Sequence, residues 1–202
     1  DNWQPIDGEE ARLLALIAQI DGRADHTLAL SIHLGGMLVV AGNDAGLSAF
    51  EQDVAGDETR APMRLPNHAA FHTPLMANVA QMGRDALPES LFSDPKVALV
   101  DGRGTVWNPM SSDLGALRNY TLGQQITQTY DFTASVQSAA RNLAPDRFII
   151  TGPGTTLGGA VAQALIGMKW QGIDSKKAFL ARQASDPLVM SMGREDQRGL
   201  VV

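Results

Sequence analysis

One histidine of this chain occupies a position from which a side chain can take part in catalysis. Residues 67–76 read NHAAFHTPLM, and within them His72 directly precedes Thr73 and Pro74. Threonine is a frequent helix N-cap, and proline suits the first helical position because no intrahelical bond needs its N–H. The pattern predicts a strand that ends at the histidine and a helix that follows it. An imidazole at such a corner can act as a general base, although it can equally be a packing or surface residue.

The elements that would position this histidine alternate between strand and helix from about residue 67 onward, which favours an α/β layer architecture. The helix after His72 has an apolar stripe that we expect to face inward, formed by Leu75, Met76, Val79 and Met82. A strand is predicted at 96–100 and a buried strand at 147–151. Helices are predicted at 113–125, 132–143, 155–166 and 175–184, and the polar end at 193–199 is expected to be mobile.

Residues 1–66 show a different order, β-α-β-β-α-β, which is the ferredoxin-like pattern. Strands are predicted at 3–6, 27–33, 37–41 and 61–65. Asp7 and Glu10 have the spacing of a capping box for the first helix, and Asn43 or Asp44 can cap the second. The sequence therefore predicts a small subdomain over 1–66 and a second region over 67–202.

Three segments together resemble one family. The run AAFHTPLM resembles the histidine motif of malonyl-CoA:acyl carrier protein transacylases and of the acyltransferase domains of polyketide and fatty-acid synthases. Residues 148–159, FIITGPGTTLGG, resemble the strand-GPG-helix segment of that family, and residues 37–42, MLVVAG, resemble a strand of its small inserted subdomain. The resemblance implies an α/β fold, with a ferredoxin-like subdomain at 1–66 and the C-terminal portion of an α/β-hydrolase-like acyltransferase core at 67–202.

The resemblance also implies roles for individual residues. His72 matches the catalytic histidine, which acts as the general base towards a serine and later a thiol. The family orients this histidine through a main-chain carbonyl, usually that of an amide residue, and Asp131 is the expected counterpart. Its carboxylate could also contact the imidazole as in a Ser-His-Asp triad, or it could cap the helix at 132–143. Phe71 matches the aromatic wall that crowds a malonyl pocket, or it packs in the core.

The chain departs from the family at two points. It contains no GxSxG nucleophile elbow, and the nearest imitation, VMSMG around Ser191, lacks the first glycine. The family's Asn-x-Asn-Ser-Pro-x-Gln stretch is replaced by SIHLGGM, where His33 stands at the second asparagine and is expected to be structural. We therefore expect the C-terminal part of a longer acyltransferase. The serine, the oxyanion donors and a carboxylate-binding arginine would lie in a missing N-terminal portion, and this chain alone would be inactive.

Composition excludes several other functions. With 22 acidic and 16 basic residues the net charge is −6, which disfavours a nucleic-acid surface. The absence of cysteine excludes disulfides and thiolate catalysis, and no apolar run approaches the roughly 20 residues of a membrane span. The histidines form no HExxH motif and residues 152–154 lack a P-loop lysine, so neither a metal nor a cofactor is expected. We expect a cytoplasmic protein.

The resulting hypothesis is an acyltransferase of fatty acid biosynthesis. It would move a malonyl group from malonyl-CoA to the phosphopantetheine arm of an acyl carrier protein through a serine acyl-enzyme, with His72 as base. The alternative is a non-catalytic interaction module that retains the acyltransferase scaffold.

Overall fold

A computed structural model describes residues 3–54, 62–66, 68–152 and 154–201. The helices are α1 (Glu9–Asp21), α2 (Asp44–Val54), α3 (Ala77–Ala86), α4 (Leu114–Asn119), α5 (Gln125–Thr127), α6 (Phe132–Leu143), α7 (Leu157–Gly167), α8 (Lys176–Ser185) and α9 (Glu195–Arg198). The strands are β1 (Leu28–Leu34), β2 (Met37–Gly42), β3 (Leu99–Val100), β4 (Val106–Trp107), β5 (Tyr130–Asp131), β6 (Phe148–Ile150) and β7 (Val189–Ser191). A π-helix, Tyr120–Gln124, joins α4 to α5, and short 3-10 helices span Pro74–Met76, Glu89–Leu91 and Trp170–Gly172.

The N-terminal hairpin shares its sheet with a strand from the other predicted region. β1 pairs with β2 in antiparallel orientation and with β5 in parallel orientation, so the strand order is β2-β1-β5. Helices α1 and α2 cover the hairpin, and their apolar faces close a small core formed by Ile17, Ile20, Leu28, Ala49, Phe50 and Val54. β1 therefore connects β2 and the two helices that cover the hairpin to the strand that carries Tyr130.

Part of the predicted ferredoxin-like pattern is absent from the described residues. The hairpin, α1 and α2 confirm four of its six elements, and Asn43 caps α2 through the Gly46 N–H (2.9 Å). Residues 3–6 and 62–65 are not strands, Ala61 lies outside the described residues, and Gly8 replaces the predicted capping box at α1. The first segment does not join the hairpin, and the Trp3 ring packs against Phe179 of α8, with ring centroids 6.1 Å apart.

The larger core surrounds α7, whose sequence LGGAVAQALIG has almost no polar side chain. Its small residues let α6, α8 and the parallel pair β6-β7 approach closely. The buried residues of this core are Val136, Ala140, Ile150, Val161, Ala162, Ala164, Leu165, Ile166, Ile173, Phe179, Leu188 and Val189. The predicted helices α6, α7 and α8 are confirmed, and β3 and β6 lie within the predicted strands at 96–100 and 147–151, whereas the sequence did not indicate β4 or β7. No helix within the described residues has both the length and the apolar character needed to cross a membrane.

The predicted inward stripe of the helix after His72 is wrong for three of its four residues. Met76 is buried, but Leu75, Val79 and Met82 are 46%, 47% and 68% exposed. α3 packs on the π-helix and α5 through its opposite side, where Ala80 is fully buried. The apolar stripe consequently has no cover among the described residues.

The hairpin tip is anchored to the second region by main-chain contacts. The Gly35 N–H donates to Thr133 Oγ1 (2.8 Å) and the Gly36 N–H to Gln163 Oε1 (2.9 Å). Gly35 has a φ of +62°, and a Cβ atom there would lie 2.8 Å from Cα and O of Ala160 in α7. Only glycine fits both the backbone conformation and the contact.

Replacing this glycine should test the anchor. Gly35→Ala should lower the free energy of unfolding by about 1–3 kcal/mol more than Gly172→Ala, because overpacking adds to backbone strain. Gly172 is the matched control, since its φ is +79° but nothing lies within 4 Å of its Cβ position. Urea denaturation followed by circular dichroism gives both values. Equal losses would show that α7 does not constrain the tip.

Candidate active site

His72 lies in an irregular turn rather than at the end of a strand. Residues 68–72 are not in a strand, which corrects that prediction, and His72 has a φ of +60°. Thr73 is the N-cap of the 3-10 helix Pro74–Met76, so the predicted helix start is confirmed. A left-handed conformation costs a non-glycine residue roughly 1–2 kcal/mol, so neighbouring contacts must hold it in place.

Two side-chain hydroxyls supply those contacts. The hydroxyl of Thr73, which is fully buried, donates to the carbonyl of Ala70 (2.7 Å) instead of capping the helix. Ser31 of β1 donates to the carbonyl of Phe71 (2.8 Å). The backbone is therefore fixed on both sides of His72, once from within the turn and once from the sheet.

The imidazole itself is oriented by a main-chain carbonyl. His72 Nδ1 lies 2.5 Å from the carbonyl oxygen of Gln125. A carbonyl can only accept, so Nδ1 carries the proton and the lone pair of neutral His72 is on Nε2. Gln125 lies in α5, the last turn of its helix, where carbonyls have no intrahelical partner. The ring of Tyr130 packs on the imidazole, with centroids 5.2 Å apart.

Asp131, the residue expected to orient the histidine, makes other contacts. Its carboxylate caps α6 through the Ala134 N–H (2.7 Å) and lies 3.3 Å from His33 Nδ1. Its carbonyl accepts from the Ser135 hydroxyl (2.9 Å). The carbonyl on His72 instead belongs to Gln125, which has the amide side chain that the resemblance implies at this position. The amide side chain of Gln125 is the feature of the sequence that could have identified the orienting residue. Gln125 lies in α5, whereas Asp131 lies at the start of α6.

Phe71 is exposed beside the histidine and does not pack in the core. Its side chain is half exposed (51%), and its ring centroid lies 6.5 Å from that of His72. An open cleft of about 450 Å³ lies next to this turn. The cleft is lined by Pro74, Ala77, Ala80, Arg84, Thr127 and Gln128. One wall is therefore formed by the 3-10 helix that follows Thr73 together with α3, and the other by the end of α5.

The other histidines near this turn have different surroundings. His33 Nε2 lies 3.2 Å from Glu10 of α1 and its Nδ1 contacts Asp131, so it ties α1 and β1 to β5. His68 is exposed and contacts the carbonyl of Pro66. His68 and His72 are four residues apart, but this segment is not helical. Among the residues that the structure describes, no group of three His, Cys, Asp and Glu could hold a metal ion.

A buried carboxylate organises the turn beneath β5. Asp101, whose side chain is 3% exposed, accepts from the side chain of Arg103, the backbone N–H groups of Arg103 and Thr105, and the Trp107 indole. Burial alone would raise the pKa of Asp101, but the hydrogen bonds from Arg103, Thr105 and Trp107 outweigh it and leave the pKa below its ordinary value.

Comparisons with known proteins point to one fold. No family model matches the sequence, and no curated protein matches it. The malonyl-CoA:acyl carrier protein transacylase of Xanthomonas oryzae superposes with a TM-score of 0.71 over 95% of this chain and 53% of its own, at 18% identity. The MCAT structure from Streptococcus pneumoniae gives 0.66 over 98% and 55%, at 16% identity. The chain has the acyltransferase fold.

Acyltransferase domains of larger enzymes share this fold. The acyltransferase domain from the second module of the salinomycin polyketide synthase matches with a TM-score of 0.64 over 93% of this chain and 38% of its own, at 19% identity. The chain spans about half the length of the transacylases it matches. The family resemblance of the sequence motifs and the likeness of the fold therefore agree.

The hydrogen bond from the Thr73 hydroxyl to the Ala70 carbonyl can be removed by a substitution that preserves the shape of the side chain. Thr73→Val should lower the free energy of unfolding by about 0.5–1.5 kcal/mol, because the partly buried carbonyl of Ala70 loses the hydrogen bond from the Thr73 hydroxyl. Thr156 is exposed and makes no capping bond, so Thr156→Val should stay within about 0.5 kcal/mol of the parent chain. Urea denaturation of both variants compares them, and similar stabilities would contradict the importance of this bond.

Acid should weaken the Asp101 turn. A carboxylate with a lowered pKa in the folded state stabilises the fold above its unfolded pKa, about 3.9, and this contribution is lost as the pH falls through the folded pKa. Asp101→Asn should therefore destabilise the chain by about 1–3 kcal/mol at neutral pH, and less near pH 3. Urea denaturation across this range tests the difference.

The matched control is Asp186→Asn. A hydrogen bond from Arg147 lowers the pKa of Asp186 as well, but this pair is exposed and solvent screens it. Its effect should be much smaller at every pH. A difference between Asp101→Asn and the parent chain that does not change with pH would contradict the ionised state of Asp101.

Proposed function

We propose that this chain supplies the histidine side of a serine acyltransferase site that moves a malonyl group from malonyl-CoA to the phosphopantetheine thiol of an acyl carrier protein. The observation that carries the proposal is the contact between His72 Nδ1 and the Gln125 carbonyl. It leaves Nε2 as the basic nitrogen, at a surface turn beside an open cleft. A general base needs this combination of fixed orientation, free lone pair and access.

In the proposed reaction, Nε2 of His72 acts as the base in both half-reactions. His72 Nε2 takes the proton of a serine hydroxyl as its oxygen attacks the malonyl thioester, and it returns this proton to the departing coenzyme A sulfur. In the second half, Nε2 takes the proton of the phosphopantetheine thiol, whose sulfur attacks the serine ester. The proton returns to the serine oxygen and the thioester leaves. The carbonyl end of α5 stabilises the imidazolium formed in each half.

The serine belongs, in this proposal, to a section outside residues 1–202. The sequence has no GxSxG elbow, and Ser191 is buried on β7, where its hydroxyl contacts the Gly154 carbonyl and the Gly193 N–H. That section would also bring the oxyanion donors and the arginine for the malonyl carboxylate. It would cover the exposed stripe of Leu75, Val79 and Met82, since apolar patches of this kind mark contact surfaces.

Phe71 would limit the acyl group. Its exposed ring beside His72 would narrow the space for a substituent on the α-carbon of the acyl chain, which favours malonyl over bulkier groups. The hairpin with α1 and α2 would form the small, ferredoxin-like subdomain at the mouth of the site. An enzyme of this kind would act in fatty acid biosynthesis, and we expect it in the cytoplasm.

The test is transfer of radiolabelled malonyl from malonyl-CoA to an acyl carrier protein by the native protein that contains residues 1–202 and the serine-bearing section. His72→Ala should lower the rate by about 10²–10⁴-fold, the range for loss of a general base. His68→Ala, the control, should change it by less than about twofold, because His68 is exposed and its ring contacts the carbonyl of Pro66. Val79→Glu should weaken association of the serine-bearing section, whereas Gln81→Glu, on another face of α3, should not.

The isolated chain provides the complementary result. Incubated with labelled malonyl-CoA it should acquire no covalent label, because no nucleophilic serine is available. Stoichiometric labelling of Ser191 or another serine would contradict the division of the site. Normal transfer by His72→Ala would show that His72 is not the general base, and absence of transfer by the parent protein would favour the non-catalytic scaffold instead.

A further inference from the structure

The turn at 101–104 contacts both ends of the π-helix that precedes Gln125. The Gly102 N–H donates to the Tyr120 hydroxyl (2.7 Å), at the first residue of the π-helix. Arg103 Nη1 donates to Gln124 Oε1 (2.5 Å), at the last residue, and the guanidinium lies 4.4 Å from the centre of the Tyr120 ring. The π-helix is therefore held at both ends by one turn.

The π-helix determines where the Gln125 carbonyl points. The Gln125 N–H donates to the carbonyl of Tyr120, five residues earlier, instead of the four-residue bond of an α-helix. This wider turn rotates the peptide that follows it relative to an α-helix of the same sequence. Arg84 of α3 adds a bond to the Leu122 carbonyl (3.1 Å), in the middle of the π-helix.

The same turn also supports the ring that packs on His72. The Asp131 N–H donates to the Gly102 carbonyl (2.8 Å), which fixes β5. A Cβ atom on Gly102 would lie 2.4 Å from the Tyr130 ring, so this ring rests directly on the glycine. Two neighbours of the imidazole, the Gln125 carbonyl and the Tyr130 ring, are thus connected to residues 101–104.

We propose that this turn is a positioning element that fixes the tautomer of His72, with Arg103 and Tyr120 as its positioning residues. Asp101 holds Arg103 from within the turn, Arg103 and Gly102 hold the π-helix, and the π-helix presents the Gln125 carbonyl to Nδ1. The catalytic meaning of this chain of contacts rests on the proposed function. The tautomer itself is a property of the chain and can be measured without any substrate.

The experiment uses the ¹⁵N-labelled chain and two-bond ¹H–¹⁵N spectra of its histidine rings above about pH 8, where imidazoles are neutral. In the parent chain His72 should be mainly protonated on Nδ1. Gln124→Ala removes the acceptor for Arg103 at an exposed position, and Tyr120→Phe removes the acceptor for Gly102. Each should lower the ratio of the Nδ1–H to the Nε2–H form of His72 about three- to tenfold, the factor that one hydrogen bond is worth.

Two further variants distinguish a loss of His72 positioning from a general disturbance of the fold. Gln124→Glu keeps an acceptor for Arg103 and should retain the parent ratio. Gln128→Ala, an exposed glutamine one turn later, should leave it unchanged. Methyl spectra report whether each variant keeps the fold. If Tyr120→Phe does not fold, the result for Gln124→Ala alone decides the proposal.

An unchanged tautomer ratio in folded Gln124→Ala would overturn the proposal while leaving the acyltransferase hypothesis intact. A shifted ratio, combined with normal malonyl transfer by His72→Ala, would support the positioning element and reject the proposed function. The two ideas therefore fail in distinguishable ways.

Discussion

The bond between the imidazole of His72 and the main-chain carbonyl of Gln125 is the constraint to which the rest of the site is fitted. It joins two segments that are 53 residues apart and gives the imidazole one orientation and one tautomer. The acceptor is uncharged, so it orients the ring without the buried negative charge of a triad aspartate. Orientation then depends on backbone geometry, which is why the left-handed turn at His72 is held by hydroxyl groups on both sides.

β1 contacts both of the chain segments that meet at the imidazole of His72. Ser31 holds the turn before His72, and the Thr129 hydroxyl donates to the Leu30 carbonyl (2.7 Å) just ahead of β5. His33 then contacts Asp131 where the two strands pair. A strand of the N-terminal hairpin thus aligns both segments that meet at the imidazole, so the hairpin contributes directly to the geometry of the site.

Helices and the hairpin could be predicted from the sequence because local signals specify them. Asp131 and Ser175 accept from the N–H three residues later, as N-caps do, and α7 is recognisable from its apolar run. The motif around His72 is also a local signal, because it consists of consecutive residues. The direction of the apolar stripe on α3 could not be predicted, because it depends on which neighbour the helix meets. The Gln125 contact was also missed, since a carbonyl is present at every residue and only the tertiary fold selects one.

The π-helix spans Tyr120–Gln124 and directly precedes Gln125. The direction of the Gln125 carbonyl therefore depends on the number of residues in this segment more than on the side chain at position 125. Any residue at position 125 offers a carbonyl, so substitution there leaves the acceptor in place. Removing one residue from the segment would convert the wide turn into an ordinary α-helical one and rotate the following peptides by about 100°, the angle between successive residues of an α-helix. A single deletion within the π-helix would then turn the acceptor away from His72, an effect that no substitution at Gln125 itself would reproduce.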